Sequence, residues 1–264
     1  MSEDTSNGIG AALLEDRQRQ IVEMVAEHGS VRVAILSRKF GVSQVTIRTD
    51  LERLARQGLL VRNRGGAVAV SRTSLSTAFT ERARFRQEEK IRIAERAASL
   101  ASAGDSVFVD AGSTMMEIAQ RLSDVAPLTV VTNGLNIAIL LGGFPGINVI
   151  QVGGSLSPET ISTVGPIAER DIDELVVDKF FLAAHSFDAD LGILDVSVVV
   201  ARAKMAMIRI ARQVVLVADS SKYGQRALAK VAPLNAAHML ITDTDLPDSA
   251  LQAVRALGVE VVQV

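Results

Sequence analysis

Apolar positions in the first quarter of the chain recur at helical spacing and predict three short helices. From Leu13 to His28, apolar residues at 14, 21, 22, 25 and 26 line one face, and Gly29 closes the helix. Val31 to Phe40 repeats the pattern, with Val31, Ile35, Leu36 and Phe40 inward and Gly41 as the stop. Ser43 is a good N-cap for a third helix to about Gln57, with Val45, Ile47, Leu51 and Leu54 apolar and Gly58 at its end. Helix two, the Gly41-Val42-Ser43 turn and helix three make a helix-turn-helix, whose second helix presents its N-terminal half to a DNA major groove. Leu59 to Arg62 and Ala67 to Val70 then flank Asn63-Arg64-Gly65-Gly66, which reads as a β-hairpin wing with a basic tip.

Arg72 to Phe79 is rich in Ser and Thr and has no period, which marks a linker. The predicted division is a winged helix-turn-helix over 13–71, a linker over 72–87 and a second domain over 88–264. From about Glu88, helical stretches alternate with β-branched runs at 107–110, 128–132, 148–152, 179–184, 214–218, 238–242 and 259–263. These runs are continuously apolar, as strands buried on both faces are, so the second domain is predicted to be α/β with a mostly parallel sheet. Several strands end in small or polar residues: Asp110-Ala-Gly-Ser-Thr114, Thr132-Asn133-Gly134, Gly153-Gly154-Ser155 and Asp219-Ser-Ser-Lys222. In open parallel sheets, ligands bind outside the carboxyl ends of the strands, where these loops fall.

Charge sharpens the division. From Arg17 to Arg72 there are 11 Arg and Lys against Glu23, Glu27, Asp50 and Glu52, a balance of +7, while the whole chain carries −2. The remainder therefore carries −9. A basic block at one end is the footprint of a nucleic-acid module joined to a different domain. Aromatic residues are 3%, with no Trp, which weighs against single-stranded binding by ring stacking and leaves duplex DNA. Cysteine is absent, so disulfides, thiolate metal sites and cysteine nucleophiles are excluded, and a cytoplasmic setting is expected. Three scattered histidines give no zinc-site spacing, and no metal or cofactor is expected. The longest apolar stretch, Ile137 to Ile147, contains Gly and Pro and is too short for a bilayer span of about 20 residues.

Two sets of motifs resemble the DeoR-type bacterial transcription regulators. V-A-I-L-S-R-K-F-G-V-S-Q-V-T-I-R-T-D-L at 33–51 and G-L-L-V-R-N-R-G-G-A-V at 58–68 are similar to that family's winged helix-turn-helix. E-E-K-I-R-I-A at 88–94, D-A-G-S-T at 110–114, V-V-T-N-G-L-N-I-A at 130–138, G-G-S-L at 153–156, V-G-P at 164–166, D-K-F-F-L at 178–182 and A-D-S-S-K-Y-G at 218–224 are similar to its effector domain. The resemblance implies a fold resembling ribose-5-phosphate isomerase and a phosphorylated sugar or related metabolite as effector. It implies a repressor of operator DNA, acting as a homo-oligomer, dimer or tetramer, with no membrane partner and no catalytic residues. The rival is a sugar-phosphate isomerase with an appended DNA-binding domain. Three positions depart from the family pattern. Thr46-Ile47-Arg48-Thr49-Asp50 has one arginine before the aspartate, Ala183 to Asp188 retains only the aspartate of the family's turn, and Val200 stands where a glutamate is common.

The residues expected to meet DNA are Ser43, Gln44, Thr46, Arg48 and Thr49 near the start of helix three, with Arg62 and Arg64 on the wing. Asp50 is expected to orient a neighbouring arginine. Asp110, Gly112, Ser113 and Thr114 end a strand and open a helix, a pattern suited to cradling phosphate on hydroxyls and backbone N–H groups. Lys222 supplies a point charge for the same group. Thr132, Asn133, Gly153, Gly154, Asp188 and Lys204 complete the expected effector site, and His185 is either a ligand donor or a structurally satisfied imidazole.

Overall fold

The computed structural model describes residues 17–25, 29–56, 60–63, 65–69 and 75–264. The chain divides into two compact units, residues 1–74 and 75–264.

In the first unit, helical residues 17–25 (α1) are followed by β1 (Ser30–Arg32), α2 (Val33–Phe40), α3 (Gln44–Arg56), β2 (Leu60–Asn63) and β3 (Gly66–Ala69). Ile21, Val25, Leu36, Ile47, Leu51, Leu54 and Leu60 form its core. The strands make an antiparallel sheet in the order β1-β3-β2, so the predicted hairpin gains a third strand. Val31, expected to begin helix two, pairs instead with Ala67. Gly66 permits this approach, because a Cβ there would stand 2.0 Å from the Val31 carbonyl oxygen. With the helix starting two residues later than expected, the inward stripe runs through Val33 and Leu36, and Ile35 is 47% exposed.

The second unit begins with α4 (Leu75–Arg84), α5 (Gln87–Ala98), β4 (Ser106–Val109), α6 (Ser113–Leu122), β5 (Leu128–Thr132), α7 (Leu135–Leu141) and β6 (Ile147–Gln151). It continues through β7 (Ser155–Ser157), β8 (Ser162–Val164), α8 (Pro166–Asp173), β9 (Val177–Ala183), β10 (Ser186–Asp188), β11 (Gly192–Asp195) and α9 (Val198–Ile210). The chain ends with β12 (Ala211–Val217), β13 (Ala229–Ala232), β14 (Met239–Thr242), α10 (Asp248–Ala256) and β15 (Glu260–Gln263). Seven strands form one fully parallel sheet in the order β15-β14-β12-β9-β4-β5-β6. All seven correspond to the apolar runs read from the sequence.

Both faces of this sheet are covered. Val107, Val109, Phe181, Val215 and Val217 pack with α5, α6 and α7, whereas Phe108, Phe180, Leu182, Val214 and Leu216 pack with α8, α9 and α10. Burial on both sides is why these strands read as unbroken apolar runs. Two small antiparallel sheets, β7-β8 and β10-β11-β13, had no counterpart in the sequence reading. The stretch expected as a linker is also corrected: residues 75–84 are helical. Its Ser and Thr content hid a helix that is held by tertiary bonds, since the Arg82 carbonyl accepts from Lys90 Nζ and the Arg82 guanidinium donates to the Glu159 carbonyl. Among the described residues no helix is long and apolar enough to cross a membrane.

Candidate functional site

Gln44, Val45, Arg48, Thr49, Glu52 and Arg53 form the exposed face of α3, while Ile47, Asp50, Leu51 and Leu54 point inward. Three of the expected DNA contacts spend their hydroxyls within the helix. Ser43 Oγ accepts from the Thr46 N–H at 3.1 Å and shares a 2.8 Å hydrogen bond with Thr46 Oγ1, and Thr49 Oγ1 donates to the Val45 carbonyl at 3.2 Å. Arg48 Nη2 donates loosely to Gln44 Oε1 at 3.4 Å, so these two remain available at the helix surface. On the wing, Arg62 Nη1 donates to Glu52 Oε1 at 2.5 Å, tying β2 to α3; Arg64 lies outside the described residues. Asp50 is 3% exposed and accepts from Arg17 Nε at 2.8 Å and Gln18 Nε2 at 3.1 Å, joining α1 to α3.

In the second unit, strand order reverses between β4 and β9, because the chain runs outward to β6 on one side and to β15 on the other. The crevice beyond this switch point is where doubly wound sheets bind ligands. Asp110, just past β4, accepts from the Ala111 N–H at 2.7 Å and from the Ala183 N–H at 3.1 Å. Lys204 Nζ reaches in from α9 to Asp195 Oδ2 at 2.9 Å, the Ala183 carbonyl at 2.8 Å and Asp110 Oδ2 at 3.5 Å. The ammonium group therefore donates to a carbonyl and a carboxylate and pairs in charge with a second carboxylate. Burial opposes the Lys204 charge, yet Asp110 and Asp195 hold its pKa above the ordinary lysine value. Asp110 and Lys204 thus form a buried strut across the switch point. Val200, one turn earlier on α9, is buried in the apolar cluster of that face.

Thr132 Oγ1 donates to the Val109 carbonyl at 2.7 Å and accepts from the Gly134 N–H at 3.0 Å, locking β5 to β4. Asn133 Nδ2 donates to the Thr163 carbonyl at 3.3 Å, but its buried Oδ1 has no partner among the described residues; nor has Ser186 Oγ, beside His185. Asp188 Oδ1 accepts from the N–H groups of Asp190 and Leu191 at 2.8 and 3.0 Å and closes the β10-β11 turn. Gly153 and Gly154 follow β6, two strands from the switch point; a Cβ on Gly154 would lie 2.7 Å from the Val164 carbonyl oxygen, so β8 requires that glycine.

Cations gather beside the strut. Lys222 Nζ donates to the Ala184 carbonyl at 2.8 Å, and Lys90 Nζ to the carbonyls of Phe85, at 2.5 Å, and Arg82. Among the described residues, no carboxylate lies within 4.0 Å of either ammonium. Burial, reinforced by Lys204, Lys90 and Arg82 and opposed by Asp219, pushes Lys222 down to about 8. His185 is likewise lowered by burial, with Lys222, Lys204 and Arg82 adding to it and Asp195 opposing. Ser113 Oγ donates to the Arg82 carbonyl at 3.4 Å, which brings the start of α6 to the same place. The first intrahelical bond of α6 runs from Met116 to Gly112, leaving the N–H groups of Ser113, Thr114 and Met115 outside the ladder.

Comparison with known proteins matches both units. Residues 17–73 match the DeoR-like helix-turn-helix domain and residues 86–244 the DeoR C terminal sensor domain. The chain belongs to the DeoR family. It is 38% identical over 96% of its length to the uncharacterized HTH-type transcriptional regulator YulB of Bacillus subtilis, and covers 97% of that protein. It is 33% identical over 89% of its length to the glycerol-3-phosphate regulon repressor of Escherichia coli, covering 93% of it. Ribose 5-phosphate isomerase A from Neisseria gonorrhoeae is similar over 53% of this chain and 55% of its own, with 18% identity and a TM-score of 0.38.

As a DeoR-family member the chain is a DNA-binding transcriptional regulator with a sensor domain. Two cations of that sensor, Arg82 and Lys90, were not among the residues expected at its effector site. Arg82 lies in the stretch read as linker, and Lys90 in a motif quoted only for its resemblance. The one available signal was a lysine on the apolar side of the helix that begins near Glu88: Lys90 precedes Ile93 by three residues, and both are buried.

Proposed function

We propose that this regulator is a repressor whose operator affinity is set by a phosphorylated small metabolite, a sugar or polyol phosphate, held at the strand-end crevice of the sensor. The observation that carries this reading is the pair of ammonium groups, Lys90 and Lys222, that meet carbonyl oxygens but no carboxylate beside the switch point. A dianion placed there gains charge-assisted hydrogen bonds that the free protein leaves unmade. The N–H groups opening α6 add donors and a favourable dipole end. Asn133 Oδ1 and Ser186 Oγ, buried and unpartnered, suit the hydroxyl groups of the same metabolite. Asp110 and Lys204 fix the crevice rather than touch the effector, and His185 stands at its rim. The relative named for the glycerol-3-phosphate regulon supports a phosphorylated class.

On the DNA side, Gln44 and Arg48 read base edges and Arg62 contacts the backbone. The protein acts in the cytoplasm as a homo-oligomer, because symmetric dimers match paired half-sites. Titration calorimetry with glycerol 3-phosphate, sugar phosphates and their unphosphorylated parents tests the effector reading. Binding confined to phosphorylated compounds and lost in Lys222→Ala is expected; equal heats from unphosphorylated parents would contradict it.

A further inference from the structure

Val45 is an exposed apolar side chain among the polar residues of the outer face of α3. Its side chain is 67% exposed, in the first turn, flanked by Gln44 and one turn before Arg48 and Thr49. A β-branched residue loses rotamer freedom in a helix, and at a solvated helix position Ala, Glu, Lys or Gln would be more stabilising. Nothing in the core asks for an apolar group there, since Ile47, Leu51 and Leu54 already supply the buried stripe. Natural chains tend to break local rules where function requires it. The neighbouring hydroxyls of Ser43, Thr46 and Thr49 are spent within the helix, so the start of α3 presents three side chains outward: the Val45 isopropyl group, the Gln44 amide and, one turn on, the Arg48 guanidinium, the last two joined only by a loose 3.4 Å bond.

An isopropyl group has no hydrogen bond to give or take. The one apolar feature on a major-groove base edge is the thymine C5 methyl group. We propose that Val45 is a specificity-determining residue that packs against a thymine methyl in each operator half-site. Gln44 and Arg48 then read hydrogen-bonding edges beside it. This rests on α3 being the DNA-reading helix, and the test separates the two.

A random-sequence duplex library is selected on the full chain, and the enriched duplex is remade with each thymine replaced in turn by deoxyuridine, which lacks only the methyl group. The parent is expected to lose roughly fourfold in affinity at one thymine per half-site, the worth of one buried methyl-sized group. Val45→Ala, which removes exposed atoms and raises helix propensity, should bind the thymine and deoxyuridine duplexes equally. Arg48→Ala should bind both more weakly while keeping the discrimination. A parent indifferent to deoxyuridine at every thymine, or discrimination that persists in Val45→Ala, would overturn the role of Val45 alone. Unchanged affinity in Arg48→Ala would overturn the reading of α3 and this inference with it.

Discussion

Two buried lysines that donate to adjacent carbonyls, Lys204 to Ala183 and Lys222 to Ala184, behave oppositely, and their environments say why. Lys204 faces two carboxylates and a carbonyl, so its charge is compensated within the fold. Removing it in Lys204→Met leaves Asp110 and Asp195 buried without their cation, which should cost about 3–5 kcal/mol. Tyr223, the single tyrosine, lies in the sensor and reports its urea unfolding by fluorescence; a midpoint within error of the parent would contradict the strut. Lys222 meets one carbonyl and other cations, and its pKa falls to about 8. The charged form is the one that holds an anion. Effector affinity should therefore be intact below pH 8 and fall by about tenfold per pH unit above it. Lys222→Arg, which stays charged, should abolish that decline, and calorimetry across pH 7 to 9.5 reads the difference. Both lysines are expected from the sequence at the effector site, Lys222 as a point charge for phosphate and Lys204 for the hydroxyl and carbonyl groups of the sugar. What separates them is Asp195, nine positions before Lys204 at the end of β11, a pairing of strand and helix with no period to betray it.

At the scale of elements, the central parallel strands were legible because each is buried on both faces, and a continuous run of Val, Ile, Leu and Phe is visible without knowing its neighbours; the edge strands β6 and β15 are partly exposed yet still rich in Val and Ile. The three-residue strands β7, β8 and β10 are too short to show an alternation, and α4 is joined through Arg82 to Lys90 and to the Glu159 carbonyl, bonds that leave no pattern in the sequence. The loop joining β4 to α6 shows sequence and geometry agreeing. Gly112 caps α6 at φ 139° and ψ 171°, a conformation that side chains avoid, while its missing Cβ would meet nothing nearer than the Ala183 Cβ at 3.9 Å. Gly112→Ala should thus fit sterically and still destabilise the sensor by about 1–3 kcal/mol through backbone strain. Loss of effector affinity should accompany it, since the N–H groups opening α6 would shift. Urea unfolding and calorimetry on the same variant check both, and parent-like values in each would refute the assignment of that loop.

For the whole molecule, the opposite charges of the two parts already implied a division between holding DNA and sensing something else, and the family match gives each part its work. A sensor changes operator binding only if the effector has different affinities for the DNA-competent and DNA-released states, a coupling of about 1–3 kcal/mol in most systems. That coupling is what a displacement titration reads. The full chain is bound to a fluorescent duplex selected from a random library, and the phosphorylated metabolite found by calorimetry is titrated into the parent and into Lys222→Ala. The parent should release the duplex as effector is added, while Lys222→Ala should hold it with unchanged affinity across the same range. Release of both proteins at the same effector concentration would contradict the strand-end cations as the place where the signal is received.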